Sequence, residues 1–256
     1  MRAGIYVDCD NVMRNGGWNL KYDELYRIVA DQGADVLRAN AYMAFDEERE
    51  RQDHAYRQRK DYFRSQIRRC GFKVNLRTVR RFTGPDGVEV ARANTDVDLA
   101  VDAMAQSTNL DYVVLVSGDG DFTRLVSALQ DKGIRVDVIS FFNTSGALRS
   151  TADNHSYGQV IPRLIQCPVD RHRGTFVSID QDRFFGHLAV MEDYLIYGEH
   201  VFCHGTEINP KPETNEEFYK LYERQAIVEF TLVQASTPNG TKYQAREVVV
   251  LRHEQS

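Results

Sequence analysis

The stretch GIYVDCDNV, residues 4–12, joins a short apolar run to two acids and an amide. The Ile-Tyr-Val run favours a β-strand. Asp8, Asp10 and Asn11 follow at once, although a charged group at the end of a buried strand is costly unless it has a partner there. We therefore predict a buried strand with a polar site at its carboxyl end.

The same design recurs in DYVVLVSGDGDF, residues 111–122, where Asp119 and Asp121 stand among glycines after an apolar run. A run of this kind is typical of a strand buried in a parallel sheet. Strand and helix patterns alternate over about 165 residues, which predicts βαβ units and an α/β fold with a mostly parallel sheet. Ligands of such sheets bind beyond the carboxyl ends of the strands, and both pairs of acids fall there.

The periodicity around these two strands predicts the other elements of the first domain. We expect one long arginine-rich helix from about Asp46 to Cys70, ended by Gly71, then one strand over residues 72–82 and a turn at TGPDG, residues 83–87. The remaining predicted elements are strands at residues 34–45 and 134–142, and helices at residues 20–33, 95–107, 122–133 and from about residue 145 onward.

The net charge of −5 hides a strong asymmetry along the chain. Residues 49–92 contain 13 basic and 5 acidic residues, a net +8, whereas residues 171–256 contain 9 basic and 13 acidic residues, a net −4. A basic surface on an acidic protein indicates a bound polyanion, and a solvated helix face accounts for the same run equally well. The residues predicted to contact phosphates are Arg57, Arg64 and Arg68 on the helix, and Arg77, Arg80 and Arg81 on the strand.

The sequence also argues against several classes of protein. No stretch approaches the ~18–20 apolar residues of a membrane span, and the N-terminal residues lack the layout of a signal peptide. The four cysteines are scattered, with no CxxC pair and no histidine at zinc spacing. We expect a cytoplasmic protein with free thiols rather than two disulfides.

Three pieces of the chain carry carboxylates that could meet at one end of the predicted sheet. They are Asp8 and Asp10 after the first strand, Asp96, Asp98 and Asp102 on a helix, and Asp119 and Asp121 after the second strand. Clustered carboxylates repel one another unless a cation lies between them, and Mg²⁺ takes one or two carboxylates while leaving room for a phosphate. We therefore predict a metal site, with Asn11 orienting a carboxylate or a water. Each acid taken alone also fits a helix cap, a turn or an exposed helix charge.

The motifs YVDCDN, NTDVDLAVDAM and VSGDGDFTRLV together resemble the NYN domain family, a branch of the PIN-like ribonucleases. The resemblance covers roughly residues 3–165 and implies an α/β/α sandwich, Mg²⁺ or Mn²⁺ at a cluster of acids, and hydrolysis of RNA phosphodiester bonds. The positions that match the family motif are Asp8, Asn11, Asp96, Asp119 and Asp121, and the four acids among them would hold the metal. Asp153 either matches a lesser family position or is an ordinary acid at a helix end.

The resemblance predicts that a metal-activated water attacks the phosphorus of an RNA strand. Two alternatives stay open. DCDNV imitates the Asp-x-Asp nucleophile of haloacid-dehalogenase-type phosphatases, and the domain could instead bind RNA, tRNA or a protein with an idle metal site. Trp18, in the loop after the first strand, either flanks the pocket and stacks a base or closes a turn over the core.

After about Cys167 the pattern changes to short strands separated by turns. Asn239-Gly240 is a strong hairpin signal, and five short strands in a segment of this length predict a small barrel. We therefore expect two domains, at residues 1–166 and 171–253. The predicted strands are GTFVSID, FFGHLAV, EHVFCHGTEI, AIVEFTLVQAS and YQAREVVVL.

Five rings lie on two neighbouring predicted strands of this barrel: Phe184, Phe185, His187, Phe202 and His204. Exposed rings stack single-stranded bases, and core packing is the alternative, so we expect two or three of the five to be exposed. VFCHGTEI and DRFFGHLAV are similar to the nucleic-acid-binding motifs of cold-shock domains, which are small OB-fold barrels. The likeness implies single-stranded RNA binding. The predicted partner is RNA, either single-stranded or structured, such as tRNA or mRNA. We expect no binding to a membrane, and the chain could form a homodimer.

Overall fold

The computed structural model describes residues 1–83, 89–237 and 240–251. Most of the predicted TGPDG turn, and Asn239 of the predicted hairpin, lie outside these residues. The chain divides into two compact units, Met1–Ser156 and Tyr157–Ser256. All four cysteines are free, as predicted. Within the described ranges, no helix is both long enough and apolar enough to cross a membrane.

The first unit contains strands that alternate with helices along the chain. The strands are β1 (Arg2–Asp8), β2 (Asp35–Phe45), β3 (Lys73–Thr78), β4 (Arg80–Thr83), β5 (Glu89–Arg92), β6 (Tyr112–Val116), β7 (Arg135–Ser140) and β8 (Asn154–Tyr157). The helices are α1 (Cys9–Arg14), α2 (Tyr22–Ala30), α3 (Glu47–Gln52), α4 (His54–Arg69), α5 (Thr95–Gln106), α6 (Thr123–Gln130) and α7 (Gly146–Thr151), with short 3-10 turns at Ser107–Asn109 and Gly120–Phe122.

The main sheet of this unit has six strands in the order β3-β2-β1-β6-β7-β8. β1 pairs in parallel with both β2 and β6, and the β2–β3 and β6–β7 pairings are also parallel. From β1 the chain builds outward to one side as far as β3, and then returns to build β6 and β7 on the other side. The strand order therefore reverses between β1 and β6, whose carboxyl ends are aligned by the Val7–Val116 register. This is the position at which parallel sheets bind ligands.

Burial explains why β1 and β6 are so apolar. All five residues of β6 and all but the first residue of β1 are buried, as expected for parallel strands covered on both faces. One core cluster joins Tyr6 of β1 and Leu115 of β6 to Leu99 of α5 and Val126 of α6. The predicted mostly parallel α/β fold is confirmed, and the strand ends that carry the acids are held by this core.

Three boundaries differ from the sequence prediction. The predicted helix at residues 46–70 is two helices, because Asp53 is extended and its side chain accepts the Tyr56 N–H at 2.8 Å, which starts α4 anew. The predicted strand at residues 72–82 is interrupted at Val79, whose N–H donates to the Phe45 carbonyl at 3.0 Å. Helix α1 and strands β5 and β8 were not predicted, and α1 begins directly at the end of β1.

The second unit is rich in strands and contains one longer helix. Its elements are β9 (His172–Asp180), β10 (Phe185–Ala189), β11 (Met191–Asp193), β12 (Ile196–Tyr197), β13 (Val201–His204), a 3-10 turn at Gly205–Glu207, β14 (Ile208–Asn209), α8 (Asn215–Glu223), β15 (Ile227–Thr237) and β16 (Gly240–Val250). The five predicted strands correspond to β9, β10, β13, β15 and β16.

The main sheet of the second unit is mixed and closes on itself. Its order is β13-β10-β9-β15-β16-β14, and an additional pairing joins β13 to β16. The β13–β16 pairing is parallel, with Phe202 opposite Gln244, whereas the other pairings among the five predicted strands are antiparallel. A core inside this ring of strands includes Phe176, Phe230 and Phe218, the last from α8.

Candidate functional site

The candidate site begins where β1 ends and α1 starts. Asp8 is the residue that caps α1, and one of its carboxylate oxygens accepts the Asn11 N–H at 3.1 Å. The other oxygen accepts a hydrogen bond from the Ser117 hydroxyl at 3.2 Å. Asp8 is 6% exposed, so the fold holds a carboxylate nearly buried at the sheet edge with only neutral hydrogen-bond donors.

Asn11 and Ser117 tie the ends of β1 and β6 together. The Asn11 side-chain oxygen accepts the Gly118 N–H at 2.9 Å, and the Ser117 hydroxyl oxygen accepts the Asp119 N–H at 3.2 Å. Asp8, Asn11, Ser117 and Asp119 thus form one hydrogen-bonded group, which we name the acid-end network. Ser117 is not among the residues predicted from the sequence, although its position between an apolar run and a Gly-Asp pair indicates a polar role at the strand end.

The charge on Asp8 is poorly compensated. The pKa of Asp8 is raised to about 6, mainly by burial and also by the nearby charge of Asp10, although the hydrogen bonds from Asn11 and Ser117 and the charge of Arg14 oppose the shift. A carboxylate in this state gains most from an approaching cation, because the cation would replace the solvation that burial removes.

The other acids have different partners. Asp10 accepts the Ala44 N–H at 2.7 Å, which fixes α1 to β2. Asp102 accepts a hydrogen bond from the Tyr42 hydroxyl at 2.9 Å, and Asp98 lies 3.5 Å from Arg77. Asp121 is exposed, and its N–H donates to Asp119 at 3.0 Å. Asp96 lies in the first turn of α5 and is partly exposed.

A metal ion fits part of this arrangement. Across the described parts of the chain, no three histidine, cysteine or acidic side chains are grouped so as to hold a metal ion, so four acids do not converge as one ligand cage. Mg²⁺ needs only one or two carboxylates when waters complete its shell. Ser117 joins the Asp8 carboxylate to the Asp119 backbone N–H, and ligation of a metal ion by the Asp8 and Asp119 carboxylates stays a prediction. Direct ligation by Asp96 and Asp121 stays a prediction.

Asp153 has a structural role within the first unit. Its carboxylate accepts the Val136 N–H at 2.7 Å, at the start of β7. The backbone N–H of Asp153 in turn donates to the Val136 carbonyl at 3.0 Å. This pair of contacts fixes the chain between α7 and β8, and the structure gives Asp153 no link to the acid-end network among its described hydrogen bonds.

Five of the six predicted basic residues are exposed, and three of these five lie beside acids. Arg68 and Arg80 are exposed, and Arg57 is exposed while lying 3.6 Å from Asp61. Arg77 pairs with Asp98, and Arg81 donates to Asp46 and Glu48 at 2.7 and 2.9 Å.

Arg64 is a correction to the predicted phosphate contacts. Its side chain is only 4% exposed, and its guanidinium donates to the buried Glu50 of α3, with one contact of 3.0 Å, and to Asp61 at 3.2 Å. The reason is that the charge run on α4 wraps around the helix, so one arginine faces inward. Arg64 joins α3 to α4 and is removed from the RNA-contacting set.

Three of the five predicted rings form one aromatic face on the second unit. Phe185 and Phe202 lie 5.3 Å apart between ring centroids, and His187 lies 5.8 and 6.1 Å from these two rings. All three are partly exposed. His187 and Phe202 also line a cleft of about 520 Å³ together with His200, Lys242 and Tyr243.

Phe184 and His204 lie differently. The Phe184 ring lies 4.9 Å from the buried Phe218 ring and packs against the core of the unit. His204 contacts Phe184 at 6.0 Å between centroids, and its Nδ1 lies 2.8 Å from the Thr206 hydroxyl. Phe184 and His204 are partly exposed like the other three rings, but Phe184 also packs against the core, and a nucleic-acid contact by these two residues stays a prediction.

Comparisons with known proteins agree with the motifs of the first unit. The model of a family described as NYN domain matches residues 2–160. The low amplitude and bright protein LabA of Synechococcus elongatus is 26% identical over 144 residues, which cover 54% of this chain and 73% of that protein. The crystal structure of VPA0982 from Vibrio parahaemolyticus, a protein of unknown function, is 31% identical and aligns with a TM-score of 0.49, covering 61% of this chain and 91% of that one.

Proposed function

The chain belongs to the NYN domain family, and from this premise we propose that it is a Mg²⁺- or Mn²⁺-dependent ribonuclease with an attached single-stranded RNA-binding domain. The observation that carries the proposal is the acid-end network at the point where the strand order reverses. Membership of this family sets aside the haloacid-dehalogenase-type phosphatase, which belongs to a different class.

Each member of the network has a separate task in this proposal. Asp8, Asp96 and Asp119 would hold the metal, and Asp121 would complete its shell directly or through water. The bound metal would supply Lewis-acid activation of water and neutralise charge on the phosphodiester. Asn11 holds the Gly118 N–H, so the backbone after β6 keeps one position. Ser117 links the Asp8 carboxylate to the Asp119 backbone N–H through its two hydrogen bonds.

The exposed arginines would position the RNA backbone. Arg57, Arg68 and Arg80 have exposed side chains, and phosphate contacts of this kind set affinity and register without reading sequence. Arg57, Arg77 and Arg81 already lie beside acids, so a phosphate would have to compete with those carboxylates. We therefore assign the larger share of phosphate binding to Arg68 and Arg80.

The second unit is proposed to be an OB-fold-like barrel of the cold-shock type. Support comes from its pairing order, in which five strands close through a parallel pair and a helix stands between the third and fourth of them. Its aromatic face, Phe185, His187 and Phe202, would stack unpaired bases. Lys242 beside that face offsets part of the net acidity of the unit. His204 is proposed as a hydrogen-bonding neighbour of this face.

The test is incubation of the purified full chain with single-stranded and double-stranded RNA, including tRNA and mRNA fragments, with and without Mg²⁺ or Mn²⁺. We expect metal-dependent cleavage that Asp119→Asn abolishes, and Asn11→Ala lowers. The matched control is Asp131→Asn, an exposed acid beyond the end of α6. Cleavage by Asp119→Asn at the wild-type rate would rule the nuclease out.

A second candidate is favoured by one observation, namely that three acids do not gather into a metal-holding group among the described residues. The chain would then bind RNA without cutting it. RNA binding that persists in EDTA, together with no cleavage in Mg²⁺ or Mn²⁺, would select this candidate.

A homodimer stays a prediction, and sedimentation of the chain with and without RNA tests it.

A further inference from the structure

A second cleft lies in the first unit, next to the acid-end network. Its volume is about 520 Å³, and its floor includes Tyr22, Phe63 and Ile67. Tyr22 packs edge-on against Phe63, with the ring centroids 6.4 Å apart. The floor is thus apolar and aromatic, which suits the flat face of a base or a similar ring.

Trp18 stands at the rim of this cleft and is 62% exposed. It is held on an ordered turn, because the Gly17 N–H donates to the Val12 carbonyl at 2.8 Å and the Leu20 N–H to the Gly17 carbonyl at 3.2 Å. A Cβ added at Gly17 would lie 2.4 Å from Val12, so only glycine allows this close approach. The turn therefore presents an indole to solvent instead of covering the core with it, and an exposed tryptophan beside an apolar cleft is suited to stacking.

The cleft also carries positive charge. Arg59 and Lys60 line it from α4, and neither makes an ion pair within the part of the chain that the structure describes. Lys60 lies 5.6 Å from the Tyr56 ring centroid, and Arg49 lies over the same ring at 4.2 Å. Because two cations already lie close to Tyr56, Trp18 is the aromatic residue of the rim that is open to a ligand.

The cleft adjoins the acid-end network through α1. Val12 and Met13 of α1 line the cleft, while Asp8 caps the start of the same helix and Asn11 lies one turn further on. The helix has six residues and is therefore about 9 Å long. Lys60 is also among the charges that act on Cys9, the residue directly after Asp8.

From these contacts we infer that the cleft is a nucleotide subsite, in which one base of a single-stranded RNA stacks on Trp18 and the adjoining phosphate is held by Arg59 and Lys60. The inference rests on the proposed function, because the strand that fills the subsite is the one that crosses the acid-end network. Its consequence is that the nuclease grips one unpaired nucleotide beside the scissile bond. Double-stranded RNA cannot present a base to Trp18 in this way.

The chain has a single tryptophan, so intrinsic indole fluorescence reports on this subsite directly. The experiment titrates the full chain, without metal, with an oligouridylate, with uridine monophosphate and with a ribose-phosphate oligomer that lacks bases. We expect the oligouridylate to quench the fluorescence, the baseless oligomer to leave it nearly unchanged, and the mononucleotide to bind much more weakly. The same titration on Phe202→Ala, which weakens binding at the second unit, should lower the affinity for a long oligouridylate but keep the quenching at saturation.

Substitutions supply the second arm, with affinity read from the anisotropy of a labelled oligouridylate. Trp18→Ala should weaken binding about tenfold, and Trp18→Phe should weaken it less. Arg59→Ala with Lys60→Ala should reduce the slope of log affinity against log salt by about 0.7 for each phosphate that the variant no longer binds. The matched control is Tyr62→Ala, an aromatic residue on α4 that is 68% exposed and does not line the cleft.

The outcomes separate this inference from the proposed function. If the chain cleaves RNA but RNA does not change the Trp18 fluorescence, the proposed subsite is wrong and the proposed nuclease function is still supported. Quenching by oligouridylate without cleavage in any metal supports the subsite and removes the nuclease. If uridine monophosphate binds as tightly as the oligouridylate, the cleft binds a free nucleotide and the proposal of an RNA strand as its ligand is wrong.

Discussion

At the scale of single residues, the buried charge of Asp8 lowers the free energy of unfolding at the position where we propose that it helps to hold a metal ion. Its pKa in the folded chain is about 6, above its ordinary value, because of burial. An acid with a raised pKa holds its proton more tightly in the folded state, so its ionisation lowers stability as pH rises from about 4 to about 6. Below that window both states carry the proton and the cost is absent.

We predict that Asp8→Asn abolishes cleavage while raising the free energy of unfolding at pH 7 by about 1–3 kcal/mol. Asparagine can still accept the Asn11 N–H, and it removes the buried charge. Urea unfolding at pH 7 and near pH 4 tests this, and the gain should vanish at the lower pH. Asp111→Asn is the control, since Arg2 holds the pKa of Asp111 down to about 2, and its loss should lower stability at pH 7. A destabilised Asp8→Asn at pH 7 would show that the charge is already compensated.

Metal binding at the Asp8 carboxylate can be measured without a cleavage assay. A cation that binds the folded chain but not the unfolded chain stabilises the fold. Above the dissociation constant, this gain rises with the logarithm of the cation concentration. Mg²⁺ or Mn²⁺ at 100 times that constant should therefore raise the free energy of unfolding by about 2.7 kcal/mol. Asp8→Asn and Asp119→Asn should lose this gain, whereas Asp98→Asn, whose partner is Arg77, should keep it. Equal gains in all variants would place the metal elsewhere.

At the scale of elements, the sequence predicted most clearly those strands whose pattern reflects burial on both faces. β1 and β6 were found because apolar runs end abruptly in acids. The break between α3 and α4 was not found, because a single side-chain hydrogen bond at Asp53 decides it within a run of helix-forming residues. Arg64 was misassigned for a related reason, since its partner Glu50 lies 14 residues earlier and on another helix. The local periodicity of a sequence does not reveal contacts between different helices and strands.

The α3–α4 junction yields a prediction at this scale. Arg64→Met removes the cation from a pair in which both side chains are nearly buried, and leaves Glu50 without its partner. We expect a loss of about 3 kcal/mol in the free energy of unfolding, and recovery of most of it when Glu50→Gln is added. Arg57→Met, on the exposed face of α4, is the control and should change stability by less than about 1 kcal/mol. Similar losses for the two arginines would contradict the buried pairing.

At the scale of the whole molecule, the two proposed RNA-binding surfaces would make the chain a bivalent binder. The acid-end network with its basic helix belongs to the first unit, and the aromatic face belongs to the second. Once one surface holds an RNA strand, the second binds within the same molecule at a high effective concentration. Affinity should then depend on RNA length in a way that neither surface would show alone.

We therefore predict that affinity for unstructured RNA rises steeply at the length that first reaches both surfaces, by a factor of about 100 or more. Phe185→Ala with Phe202→Ala should remove this rise and leave the cleavage rate of short oligomers unchanged, because those substitutions do not touch the acid-end network. Anisotropy with a series of oligouridylates of increasing length measures the effect, and Val233→Ala, an exposed residue on β15, is the control. An affinity that grows only in proportion to length, equally in wild type and variant, would mean that the aromatic face does not share the strand with the nuclease unit.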